Sequence, residues 1–131
     1  MDEPRSDAIG LTGLGQIAVS VEDVERSIRF YRDVLGLPFL FQAEGLAFFD
    51  LDGVRLMLAE PESPDDPKHA SVLYFKAPNL ESKVSALDQA GVEFAGAPHV
   101  VHKTDSHELW MAFFYDPDRH LMALMEERPK V

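Results

Sequence analysis

The chain has no cysteine, a single tryptophan, and only 12 lysines and arginines against 23 acidic residues. Without cysteine there is no disulfide, no thiolate metal ligand and no cysteine nucleophile. No apolar run approaches the ~20 residues that a membrane helix needs, so no membrane association is expected. The first residues, MDEPRSDA, carry neither a basic start nor an apolar stretch, so no secretory leader is expected and the cytoplasm is the default location. The shortage of bases leaves a net charge of −11, which repels a phosphate backbone and argues against a nucleic-acid partner. That charge either serves solubility alone or draws in a cationic ligand. With 131 residues the chain is long enough for one real core and short for two independent domains.

What is present is a plan written twice. Gln16–Leu37 (QIAVSVEDVERSIRFYRDVLGL) reads as strand, acidic cap, amphipathic helix and glycine stop; Val72–Phe94 (VLYFKAPNLESKVSALDQAGVEF) repeats it. Each copy continues into a strand, a tight acidic turn and a strand: AFFDLDGVRLML at Ala47–Leu58 and AFFYDPDRHLMALM at Ala112–Met125. In Gln16–Val21 the residues alternate at strand period. Glu22 or Asp23 caps a helix whose stripe is Val24, Ile28, Tyr31 and Leu35, ended by Gly36. The second helix has Asn79 at its cap position, a stripe of Leu80, Val84 and Leu87, and Gly91 as its stop. The expected class is α+β: two tandem βαβββ modules whose mixed sheets curl into a cup. Residues 1–9 read as a flexible tail, 10–59 as the first module, 60–68 as a linker and 69–131 as the second module, all within one structural domain. The linker EPESPDDPK holds three prolines among its acids.

The first-copy run VEDVERSIRFYRDVLGL (Val21–Leu37) and the second-copy run YDPDRHLMAL (Tyr115–Leu124) resemble the signature of the vicinal oxygen chelate superfamily. That superfamily groups glyoxalases, bleomycin-resistance proteins, extradiol dioxygenases and related enzymes. The resemblance spans Leu14 to Glu126, and it is a strong indication of fold but a weak one of function, since one scaffold runs many reactions. It implies homodimers, sometimes exchanging modules. It also implies, in the metal-dependent members, four ligands to one divalent ion that holds vicinal substrate oxygens as a Lewis acid. Counted along the two copies, those four positions fall at Gln16, Met57, Val72 and Ala123. Only Gln16 suits a hard metal, and a thioether is poorly matched to Mg, Mn, Ni or Fe(II) sites. The expectation is therefore no metal and no other cofactor. His69, three residues before Val72, falls on the wrong strand face to stand in.

By strand alternation the cup is lined by Gln16, Ala18, Ser20, Arg55, Met57, Ala59, Val72, Tyr74, Lys76, Ala123 and Met125. Such a lining, small and apolar with Gln16, Arg55, Tyr74 and Lys76 as polar groups, suits a small organic ligand. Arg55 and Lys76 either orient that ligand or stand at the rim as solvated charges. The aromatic run with Trp110, Phe113, Phe114 and Tyr115 is either core or dimer packing, or a stacking wall for a planar ligand. Two functions are in view. One is a metal-independent binding protein resembling the bleomycin-resistance branch. The other is a glyoxalase- or dioxygenase-like lyase or isomerase, with Tyr74 or His107 as the proton carrier or a displaced metal site at His102, His107 and Glu108. His99 and the other histidines of that segment otherwise read as loop and strand-end residues bonded to backbone. His120 and Arg119 read as surface turn residues, and an arginine there is unusual for a turn with positive φ.

Other signatures fail. GLTGLG (Gly10–Gly15) precedes a strand and opens no helix, so it is no dinucleotide loop. Asp50/Asp52 and Asp116/Asp118 sit at equivalent hairpin turns, where turn chemistry accounts for them.

Overall fold

The computed structural model describes residues 9–66, 68 and 70–130. The tail assigned to Met1–Ile9, Ile9 excepted, lies outside the described residues, as does His69. The chain forms two four-stranded mixed sheets, each with the same connectivity. In the first module β1 (Gln16–Ser20) leads through α1 (Val24–Ile28) to β2 (Phe39–Ala43), β3 (Leu46–Leu51) and β4 (Val54–Ala59). In the second, β5 (Tyr74–Lys76) leads through α2 (Leu80–Gln89) to β6 (His99–Lys103), β7 (His107–Tyr115) and β8 (Leu121–Pro129). The strand orders are β1-β4-β3-β2 and β5-β8-β7-β6, with the first strand of each module parallel to the last and the remaining pairs antiparallel. This is the twice-written βαβββ plan, and the sheets curl without closing.

Local chemistry explains the boundaries. The carboxylate of Asp23 accepts from the N–H groups of Glu25 and Arg26 (3.1 and 3.2 Å), and Glu60, from beyond β4, accepts from Val24 N–H at 2.8 Å. After Ile28 the helix widens into a π-helical stretch, Arg29–Val34, and Gly36 ends it at φ 76°. The β3–β4 turn has positive φ at both central residues, Asp52 (54°) and Gly53 (96°), as a tight hairpin requires, and Asp50 accepts from Gly53 N–H at 3.0 Å. Asn79 does not cap α2 with its side chain. It adopts a left-handed φ of 60°, and Glu126 of β8 accepts from its N–H at 2.7 Å. Arg128 holds that carboxylate at 2.8 Å, pulling the pKa of Glu126 below its usual value.

One apolar core runs through both modules. It joins Val19, Val24, Ile28, Tyr31, Phe49 and Leu56 of the first to Leu73, Leu80, Phe114, Met122 and Leu124 of the second. Phe30 of the first module meets Phe114 of the second with ring centroids 6.4 Å apart. The β7–β8 turn is far more than a turn. Asp116, itself buried, accepts from the backbone N–H of Asp118 and His120 and from the hydroxyl of buried Tyr31 at 2.7 Å. Asp118 accepts from Glu22 N–H (2.8 Å) and Arg26 (3.1 Å). The His120 ring Nε2 donates to the Ser20 carbonyl at 2.7 Å, so His120 bridges the modules instead of lying free at the surface. Arg119 takes the positive φ (66°) that the turn demands, its guanidinium over the Tyr115 ring at 4.2 Å. Among the described residues no helix is long and apolar enough to cross a membrane.

Two outcomes are expected. Tyr31→Phe leaves one oxygen of a buried carboxylate without its donor and should lower unfolding free energy by about 1–3 kcal/mol in urea denaturation. An unchanged midpoint would show the bond to be dispensable. A carboxyl whose folded pKa is lowered stabilises above its unfolded pKa and loses that contribution as pH falls through the folded value. Glu126→Gln should therefore lower the melting temperature at neutral pH, with the gap to the native chain closing in acid.

Candidate functional site

Each sheet has one face covered by its helix and one left open. On the first sheet β1 and β4 align Gln16 with Arg55 and Ala18 with Met57, and β3 aligns Phe48 with Met57 and Asp50 with Arg55. Side chains directly paired across strands share a face. Ile17, Val19, Leu56 and Leu58 turn inward to the core, so Gln16, Arg55, Met57 and Phe48 share the open side. There the Gln16 amide nitrogen approaches Met57 Sδ at 3.7 Å. Phe41 stacks on Phe48 with centroids 4.5 Å apart, and the Arg55 guanidinium lies 5.6 Å from the Phe48 centroid. Phe48 is buried, Phe41 is exposed, and Ser20 is half-buried at the end of β1.

On the second sheet Tyr74 pairs with Ala123 and Lys76 with Met125, while Phe113 pairs with Ala123 from the other side. The Tyr74 and Phe113 rings meet edge to face at 6.3 Å, and His99 stacks on Phe113 at 6.2 Å. Ala123 is fully buried on this face, whereas Tyr74 is 49% exposed. Val72, 38% exposed, precedes β5 and lies outside the strand. A hollow of about 770 Å³ runs along the seam between the modules, bringing Val72, Tyr74 and Lys76 near Ile17, Leu37 and the Asp50–Asp52 turn.

Trp110 is placed elsewhere. It packs against the core on the helix-covered side, donates to Glu108 at 3.0 Å, and carries the Arg128 guanidinium 4.4 Å above its ring. Phe114 is likewise core, so the aromatic run divides between faces. Phe41 and Phe48, which the sequence reading passed over, supply the aromatic surface of the first sheet. The usable signal was the β3–β4 pairing, which sets Phe48 opposite Met57.

Neither proposed metal arrangement fits the donors present. At the four counted positions, Gln16 offers one amide already turned to a thioether, and Val72 and Ala123 offer no donor atom. Of the alternative set, His102 and His107 border one shallow hollow with Glu108. His107 Nδ1 is engaged by Ser106 Oγ at 2.9 Å, and the Glu108 carboxylate is taken by Trp110 and faces Lys103 at 4.0 Å. Among the described residues, no three His, Asp or Glu side chains gather as a metal site.

The fold, the paired modules and this open face define a class. Residues 13–129 match the family model described as the Glyoxalase/Bleomycin resistance protein/Dioxygenase superfamily, and the chain belongs to it. A 53-residue stretch is 40% identical to metallothiol transferase FosB of Staphylococcus haemolyticus (strain JCSC1435), covering 40% of this chain. The match spans 38% of that relative's own length. YraH of Bacillus subtilis (strain 168), described as an uncharacterized protein, is 25% identical over 123 residues, covering 83% of this chain and 94% of its own. Among solved structures, a superfamily member from Sphaerobacter thermophilus DSM 20745 superposes with a TM-score of 0.74. It is 19% identical and covers 88% of this chain and 98% of its own, which is likeness of fold.

Proposed function

We propose that this chain binds a small organic ligand on its open sheet faces without the family's divalent metal, in the manner of the bleomycin-resistance branch. The observation that carries this reading is the chemistry of the four positions. Where a hard cation needs oxygen and imidazole donors, this chain sets an amide against a thioether, then valine and a buried alanine. Around them stand aromatic rings and few polar groups, a surface that takes up an organic body by burial and orients it with a few hydrogen bonds. The name of the FosB relative speaks of a metal and a thiol. That activity belongs to the relative, and the donors of this chain weigh against transferring it.

The ligand site is completed by a second copy. Leu40 (49%), Phe41 (47%), Val72 and Tyr74 leave large apolar groups exposed, which a partner's open face would cover.

Elemental analysis of protein exposed to Ni, Mn, Zn and Fe(II), after removal of excess ion, is expected to find far less than one metal per chain. Retention of about one per chain, lost on Gln16→Ala or on His107→Ala, would overturn the metal-free reading and favour a lyase, isomerase or dioxygenase. Sedimentation equilibrium is expected to show a dimer for the native chain and a monomer for Phe41→Asp. A native monomer at all concentrations would refute the shared site.

A further inference from the structure

We infer that Arg55 and Gln16 form an oxyanion clamp, so that the ligand is an organic acid with a planar apolar body resting against the exposed ring of Phe41. This deepens the binding reading above and rests on it. The two donors are direct neighbours, Arg55 on β4 and Gln16 on β1 being Cα partners, and both are exposed on the open face. Each lacks a good acceptor. Among the described residues no carboxylate pairs with Arg55, in a chain with 23 acidic residues to choose from. Asp50, its Cα partner on β3, turns one carboxylate oxygen to Gly53 N–H at 3.0 Å and makes no ion pair with Arg55. The Gln16 amide reaches only the sulfur of Met57, a weak acceptor.

The guanidinium is also held in place. Its carbon lies 5.6 Å from the Phe48 centroid, and Phe48 is itself stacked on Phe41. A guanidinium steadied against a ring keeps its fork of N–H donors available for the two oxygens of a carboxylate. An amide N–H₂ beside it adds donors. Phe41, 47% exposed and stacked on buried Phe48, supplies a flat apolar surface, so one molecule with a carboxylate on an aromatic or conjugated body meets both features. Lys76, the other cation of the open faces, borders one hollow with Glu127, which lies on the same face. Each of these cations shares its face with an acid, Asp50 beside Arg55 and Glu127 on the second sheet, so a cationic ligand, which the net charge of −11 suggests, is the competing outcome.

Three probes of similar size separate these outcomes: benzoate, benzamide and benzylamine, titrated at constant ionic strength into the full chain. Binding is read from amide chemical shifts of Gln16, Arg55, Met57 and Phe113 in a ¹⁵N-labelled sample. Benzoate is expected to bind about tenfold or more tightly than benzamide, and benzylamine most weakly. Arg55→Gln, at an exposed position and checked for native folding by circular dichroism, should bring benzoate and benzamide to within about twofold of each other. Gln16→Leu should weaken benzoate by a smaller factor. Equal binding of all three probes, a preference for benzylamine, or a benzoate preference that survives Arg55→Gln would overturn the clamp and leave the binding face standing. If no probe moves any of these amides at millimolar concentration, the binding face and the clamp fall together.

Discussion

The buried hydrogen bond from Tyr31 to Asp116 is the contact on which the arrangement of the modules depends. A carboxylate removed from water needs its oxygens filled, and here one is filled by two backbone N–H groups of its own turn and the other by a phenol of the opposite module. Burial, with Asp116 alongside, pushes the pKa of Tyr31 upward and keeps the phenol a donor. Because Asp116 organises the β7–β8 turn, the same bond places Asp118 on the backbone and side chains that open α1, and His120 on the end of β1. One turn of the second module thus fixes the entry of the first module's helix and the exit of its first strand. The open face that carries Gln16 is set by that strand.

Much of this was legible. Alternation assigned the two faces of β1, β4, β5 and β8, and counting along the repeat put Gln16 and Met57 at positions that the structure brings into contact. The helix stripe Val24, Ile28, Tyr31 is buried as its spacing demands, but Leu35 is only half-buried. The π-helical stretch is the reason: beyond Ile28 the period widens, and a stripe extrapolated at 3.6 residues per turn drifts off the core. Trp110, left open between core packing and a stacking wall, was legible further. It lies two and four residues before Ala112 and Phe114, both buried, so alternation alone assigns it to the covered face.

The long-range caps were not legible. Glu60 serves α1 from 36 residues away and Glu126 serves α2 from 47 residues away, and neither leaves any local periodicity. Asn79 looked like a cap because its residue type suits one. Its left-handed backbone instead presents its N–H to the distant carboxylate.

These caps also bear on what the negative charge is for. Asp23, Glu60 and Glu126 receive helix N-terminal N–H groups, Asp50 and Asp116 close hairpins, and Asp118 ties the modules together. A carboxylate is the strongest acceptor available for such N–H groups, so these six acids belong to how the backbone is finished. The acids that do this work point at the fold's own amides and are withdrawn from any ligand. The faces left open carry rings with single cations, Arg55 and Lys76, each accompanied by one acid, Asp50 and Glu127. In a family where a cation commonly holds the oxygens of the bound molecule, a guanidinium and an amide can do the holding, but not the Lewis-acid chemistry.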